Sequence, residues 1–296
     1  MSATSEPTGM ERQLQRLVQW LEYWSDLPQE PDWSALAFQW RKRRVLGTDH
    51  AQLVAVRRIA TMAPEDLLGV DLQKAEILRN TEQFVHALPA NNVLLTGARG
   101  TGKSSLVRAC LQRFGERGLR LIEVDKADLV DLPLIADRIA ARQERFIVFC
   151  DDLSFEPADA SYKALKAALD GSIAAGASNL LIYATSNRRH LMPESMRENL
   201  AARYDEEGEL HPAEAAEEKV SLSERFGMWL TFHPFRQEEY LDIVAHWLAR
   251  FCLDGDAIAA ARTEALQYAL QRGSRSGRVA TQFARDYAGR LGLARL

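Results

Sequence analysis

Residues 92–105 constrain this chain more than any other stretch. The apolar run Asn92-Val93-Leu94-Leu95-Thr96 passes directly into Gly97-Ala98-Arg99-Gly100-Thr101-Gly102-Lys103-Ser104-Ser105, and a helical pattern, Ser104–Phe114, follows. This is G-x-x-x-x-G-K-[ST] set between a strand and a helix. Glycines at these positions let the backbone curl so that successive N–H groups converge on an anion. The helix that begins near Lys103 adds its own unpaired amides and dipole to the same place. In such a loop the lysine reaches the β- and γ-phosphates of a nucleotide, and the hydroxyl of Ser104 ligates Mg²⁺. Arg99 and Thr101 lie inside the loop without a role that their chemistry alone assigns.

A loop of this kind needs a sheet edge to stand on, and the rest of the sequence supplies one. Strand-like segments at Val93–Thr96, Leu119–Val124, Phe146–Cys150, Asn179–Thr185 and Trp229–Phe232 alternate with helical candidates at Ser104–Phe114, Leu132–Ala141 and Ser161–Leu169. Strands separated by helices call for a parallel sheet covered on both faces. The run ending at Cys150 leads into Asp151-Asp152, 48 residues beyond Lys103. An apolar strand buried on both faces delivers those carboxylates to the carboxyl edge, where open α/β sheets bind ligands. Asp151 is placed to hold Mg²⁺ through water, and Asp152 to orient or deprotonate an attacking water. The run 180–184 ends likewise in Thr185-Ser186-Asn187, and Asn187 is placed to hydrogen-bond a γ-phosphate or the lytic water.

Outside this core, three helical stretches, Arg236–Phe251, Asp256–Gln271 and Gly277–Leu291, form a small all-helical unit after Pro234. Residues 64–88 read as helical. The first 60 or so residues also read as helical: Leu14, Leu17, Val18, Leu21 and Trp24 recur at helical spacing, and Trp20, Trp24, Trp33 and Trp40 account for four of the six tryptophans. These aromatics read as packing anchors, with a partner-docking surface as the alternative. Arg41-Lys42-Arg43-Arg44 reads as a solvated linker, with nucleic-acid contact as its less favoured alternative. The acidic stretch that includes Asp205-Glu206-Glu207 and Glu217-Glu218 reads as a solvated loop or a partner-contacting insert. The expected division is 1–60 helical, 61–235 nucleotide-binding core and 236–296 helical lid.

Composition narrows the classes. A net charge of −4 offers no global pull toward nucleic acid or anionic membrane. The apolar runs are too short to span a bilayer. Cys110, Cys150 and Cys252 have no metal-ligand spacing and read as reduced thiols of a cytoplasmic protein.

The phosphate loop, acidic strand end and polar strand end, followed by a helical lid, resemble the AAA+ ATPase superfamily. More narrowly, NNVLLTGARGTGKSSLV, FCDDLSFE, YATSNRRHLMPE, SLSERFG and SGRVATQFARD resemble a bacterial family of single-module ATP-binding proteins grouped as a domain of unknown function. The resemblance implies a P-loop α/β fold with a five-stranded parallel sheet, a C-terminal helical lid and an N-terminal helical segment. It implies Gly97, Gly102, Lys103 and Ser104 as Walker A, Asp151 with Asp152 as Walker B, and Asn187 as sensor 1. Arg225 matches the arginine finger that enters a neighbouring subunit's site, and Arg278 matches sensor 2. Gly69-Val70 falls where such proteins contact adenine. The implied activity is Mg·ATP hydrolysis within a ring-like homo-oligomer that acts on an unidentified protein client. A helicase-loader-like role and a slowly hydrolysing binding switch are the alternatives. Two departures stand out. The usual Asp-Glu is Asp151-Asp152 here, which slows hydrolysis or brings in Glu156. The stretch Asp125-Lys126-Ala127-Asp128-Leu129 lacks the aromatic-hydrophobic-glycine loop of protein-threading machines.

Overall fold

The computed structural model describes residues 30–45, 48–60, 62–155, 159–170, 178–188, 222 and 224–293, together with Met10, residues 13–16, Val18 and the short strand pair Arg203–Tyr204 and Leu210–His211. The anticipated positions Trp20, Trp24, Glu156 and the acidic segment 205–207 with 217–218 lie outside the described residues.

The main sheet comprises β1 (Ala37–Val45), β2 (Thr48–Ala55), β3 (Val93–Gly97), β4 (Leu119–Glu123), β5 (Arg145–Cys150), β6 (Leu180–Ser186) and β7 (Met228–Phe232), in the spatial order β2-β1-β4-β5-β6-β3-β7. All neighbours are parallel except β1 with β2. Helices α1 (Asp71–Val85), α2 (Lys103–Phe114), α3 (Leu132–Ile139) and α4 (Ala160–Leu169) cover the sheet, and α5 (Gln237–Arg250), α6 (Gly255–Gln271) and α7 (Gly277–Leu293) follow it.

Side-chain alternation on the strands divides the interior in two. Val93, Leu95, Leu121, Ile147 and Tyr183 join Ile77 of α1 and Val107 of α2 in one core, which extends into the C-terminal helices. Leu94, Ile122, Val148 and Ile182 join Ile135 of α3 and Leu165 of α4 in the other. Both faces of the central strands are therefore dry, which explains their uninterrupted apolar runs.

The sheet has seven strands where the sequence reading anticipates five, because residues 37–55 form a β-hairpin and not helix or linker. The alternation is present in the chain: Phe38 and Trp40 are buried, while Arg41 between them and the tip of the ribbon is exposed. Four consecutive cations obscure that period-2 pattern. Trp40 locks the hairpin to the body, donating from Nε1 to Asp131 Oδ2 at 2.8 Å. Lys42, on the same face, pairs with Asp131 at 2.7 Å and Asp128 at 3.1 Å. The helix anticipated over 64–88 is shorter, with a single 3-10 turn at Pro64–Asp66 before α1 begins at Asp71.

Candidate functional site

The loop after β3 turns sharply at Gly97, whose φ is +119°; a Cβ there would stand 2.0 Å from the carbonyl oxygen of Phe232. No other residue fits, because β7 ends against that spot and Phe232 O accepts from Ala98 N at 3.1 Å. Thr101, buried, ties the loop to itself by donating from Oγ1 to Ala98 O at 2.8 Å. Gly100 (φ +72°) meets the C-terminal helices: a Cβ there would stand 2.9 Å from Ser276 Oγ, and Arg278 N–H donates to Gly100 O at 3.3 Å.

Lys103 is only 6% exposed. Its ammonium donates to Gly97 O at 2.8 Å, Ala98 O at 2.7 Å and Asn187 Oδ1 at 3.1 Å. Burial lowers its pKa below the usual lysine value; Asp151 and Asp152 oppose that shift, and Arg278 and Arg99 reinforce it. The sequence-predicted Lys103 and Asn187 are thus brought into direct contact although 84 residues apart.

The acidic end of β5 meets both the loop and β6. Ser104 Oγ donates to Asp151 Oδ1 at 2.6 Å. Asn187 Nδ2 donates to Asp152 Oδ1 at 2.6 Å. Asp152 has a left-handed backbone, φ +51°, a conformation that Asp and Asn tolerate better than longer side chains.

A residue that the sequence reading passed over connects these parts. Thr185, buried on β6, donates from Oγ1 to Asp151 Oδ1 at 2.5 Å and accepts from Asp152 N at 2.9 Å. Its signal in the sequence is only a polar residue within an apolar strand, two positions before Asn187.

These groups face a cavity of about 790 Å³, a size common for small-molecule sites. Arg99, Gly100, Gly102, Ser105 and Arg278 also line it. Met62, Leu67, Leu68, Phe235, Ile243 and Trp247 supply its apolar lining. Gly69 and Val70 do not line it: Gly69 packs on the Phe235 ring and Val70 is buried, so their neighbours Leu67 and Leu68 take the wall. Arg225 is also elsewhere. It precedes β7, at the amino edge of the sheet, about 16 Å of strand from the loop, and its Nε donates to Asp170 Oδ1 at 2.5 Å. The stretch 125–129 is tucked away rather than projecting: Leu129 is in the core, and Lys126 binds Asp159 at 2.8 Å and Ser154 O at 2.9 Å.

A strand order β4-β5-β6-β3-β7 with the glycine loop after β3, acids after β5, a polar end on β6 and helices after the sheet is the AAA+ P-loop fold. A RuvB mutant from Thermotoga maritima has the same fold, with a TM-score of 0.52 at 15% identity over 79% of this chain and 67% of that one. A second RuvB mutant scores 0.50 at 17% identity over 75% and 64%. The ORC1 protein of Aeropyrum pernix in complex with DNA scores 0.49 at 15% identity over 73% and 58%. Against other RuvB structures this chain spans 63% of their length. No curated protein matches the sequence. The chain belongs to the family described as "Protein of unknown function (DUF815)", which matches residues 34–291.

Proposed function

We propose that this chain binds Mg·ATP and hydrolyses it to ADP and phosphate, as a ring-like cytoplasmic homo-oligomer that remodels or regulates a protein partner. The observation that carries the reading is the 2.6 Å contact between Ser104 and Asp151 beside Lys103 and the glycine loop. This is an all-oxygen donor pair suited to a hard cation, at the mouth of an amide cradle suited to phosphates. Loop amides and Lys103 hold the β- and γ-phosphates, Ser104 and Asp151 hold Mg²⁺, and the apolar lining of the cavity receives the base. Bound Mg²⁺ supplies charge neutralisation on the phosphate oxygens. Asp152 takes a proton from the attacking water, and its bond from Asn187 sets the angle at which its carboxylate faces that water. Arg278 approaches from the lid. Arg225, at the opposite sheet edge, serves the site of a neighbouring copy.

The test is nucleotide binding and phosphate release by purified protein. Lys103→Ala is expected to abolish both, and wild-type turnover is expected to rise with protein concentration. Wild-type protein without affinity for Mg·ATP would end this reading. A slowly hydrolysing switch is favoured by one feature: the acid at position 152 is a methylene shorter than the usual Glu, on a left-handed backbone. Tight nucleotide binding with turnover far below about 1 s⁻¹, the low end of common enzyme rates, would select it.

A further inference from the structure

The four-cation run lies on β1, and β1 with β2 forms a ribbon at the sheet edge. Residues 37–58 carry six basic residues and one acidic, a net +5 in a chain of net −4, which leaves −9 for the remainder. The eight paired positions of the ribbon span about 27 Å. Its two faces differ. Phe38, Trp40 and Leu53 are buried on the body side. On the other, exposed Arg41 stands opposite Gln52 and donates from Nε to Gln39 Oε1 at 2.9 Å. His50 stands opposite Arg43 in the register. Exposed Arg57 and Arg58 continue the charge at the ribbon's base. The acids near it are Asp128 and Asp131, both taken up by Lys42 on the body side, Asp49 opposite Arg44 in the register, Glu123 of β4 opposite Gln39, and Asp32, whose charge reaches Arg57.

We propose that this ribbon docks on duplex nucleic acid, gripping its phosphate backbone through Arg41, Arg57 and Arg58. Spread cations with interspersed amides suit phosphate oxygens, which require charge and hydrogen bonds but no apolar anchor. A two-stranded ribbon fits a DNA major groove. A protein partner is disfavoured because, among the described residues, this face shows Gln39, Arg41 and Gln52 with a single half-buried Val54 and no aromatic anchor of the kind on which protein interfaces depend. Single strands are disfavoured because they bind by stacking on aromatics, and Phe38 and Trp40 face the core. Lys42 is neutralised on the body side by Asp128 and Asp131, so exposed Arg41, Arg57 and Arg58 carry the charge that a phosphate backbone would meet.

The experiment is fluorescence anisotropy of full-length protein with a short random-sequence duplex DNA across about 50 to about 200 mM KCl. Binding is expected at low salt, weakening linearly on a log–log plot with a slope of about −0.9 per phosphate contact. The triple variant Arg41→Gln, Arg57→Gln, Arg58→Gln, all at exposed positions, is expected to flatten the slope by about 2.7 and to weaken low-salt binding about tenfold or more. Its thermal unfolding should match wild type. Lys103→Ala is expected to bind the duplex normally, so failure here is distinct from failure of the nucleotide reading. The proposal is overturned by no duplex binding at low salt, by a triple variant that binds like wild type, by tighter binding of single strands, or by capture of poly-glutamate in place of the duplex.

Discussion

Replacing Thr185 with valine keeps shape, branching and strand preference while deleting one oxygen. That oxygen donates to Asp151 Oδ1 and accepts from Asp152 N–H. Thr185 is 2% exposed, while Asp151 and Asp152 are exposed and line the cavity, so water offsets part of the loss at the carboxylates. A lost hydrogen bond to a charged group costs about 1.5–3 kcal/mol, and an orphaned buried N–H about 1–3 kcal/mol. The second cost is softened here, since Asp152 N also reaches Asp151 Oδ1 at 3.2 Å. We therefore expect Thr185→Val to lower stability by about 2 kcal/mol, read from urea unfolding. In single-turnover ATP hydrolysis, two carboxylates released from their clasp are expected to drift, and misplacement by about 1 Å costs roughly 10²-fold in rate. Nucleotide affinity, which rests on the loop, should hold. Thr185→Ser restores the oxygen and should restore both properties. If the valine variant turns over ATP at the wild-type rate, or serine fares as badly as valine, the hydroxyl does not order the acids.

Arg225→Ala is expected to reduce turnover by about 10³–10⁵ without altering nucleotide affinity; an undiminished rate would remove Arg225 from the mechanism. Asp66, in the turn before α1, accepts from His246 at 2.9 Å and Arg250 at 2.7 Å on α5. Burial works to raise its pKa, but the bonds from Arg250 and His246 outweigh it and hold the pKa below the usual value. Its stabilisation is therefore present above about pH 3.9 and is lost as pH falls through the depressed folded value. Melting temperatures should separate wild type from Asp66→Asn at neutral pH and converge in acid; a constant gap would refute the linkage. Cys110 and Cys150 are buried with thiols pushed up to about 12, whereas Cys252 is exposed. Thiol titration should count one reactive cysteine in native protein and three in denaturant, and prompt native reaction of Cys150 would contradict its burial.

The parallel core was legible because its signals are local. Each buried strand is an unbroken apolar run, and the candidate side chains lie in the polar segment beyond one: Asp151 directly after β5, Asn187 two positions after Thr185, and Lys103 at the end of the glycine loop after β3. Lys103, Asp151 and Asn187 could be placed at one edge on that logic. The hairpin was illegible for a comparable reason: Arg41, Lys42, Arg43 and Arg44 erase the polarity contrast that marks a strand, since Lys42 is satisfied by Asp128 and Asp131 from a distant turn. Thr185 escaped because its partners arrive from β5, and only the β5–β6 register brings them together. The displacement of the apolar wall from Gly69-Val70 to Leu67-Leu68 depends on how Phe235 fills the space over Gly69, which no pattern in the segment itself encodes.

The contact between Gly100 and the first turn of α7 joins two parts that respond to different things. The backbone of the glycine loop also forms the seat of the C-terminal helices, with Gly277 and Ser276 resting on it and Arg278 N–H bonded to it. The helix that starts there has 17 residues, and its buried Val279, Ala280, Phe283 and Ala284 share a core with Tyr240 of α5 and Ala265 of α6, so the position of the loop and that of the whole helical unit are set together. A residue without a side chain is thus the place where the two parts touch, and any Cβ added there would push them apart.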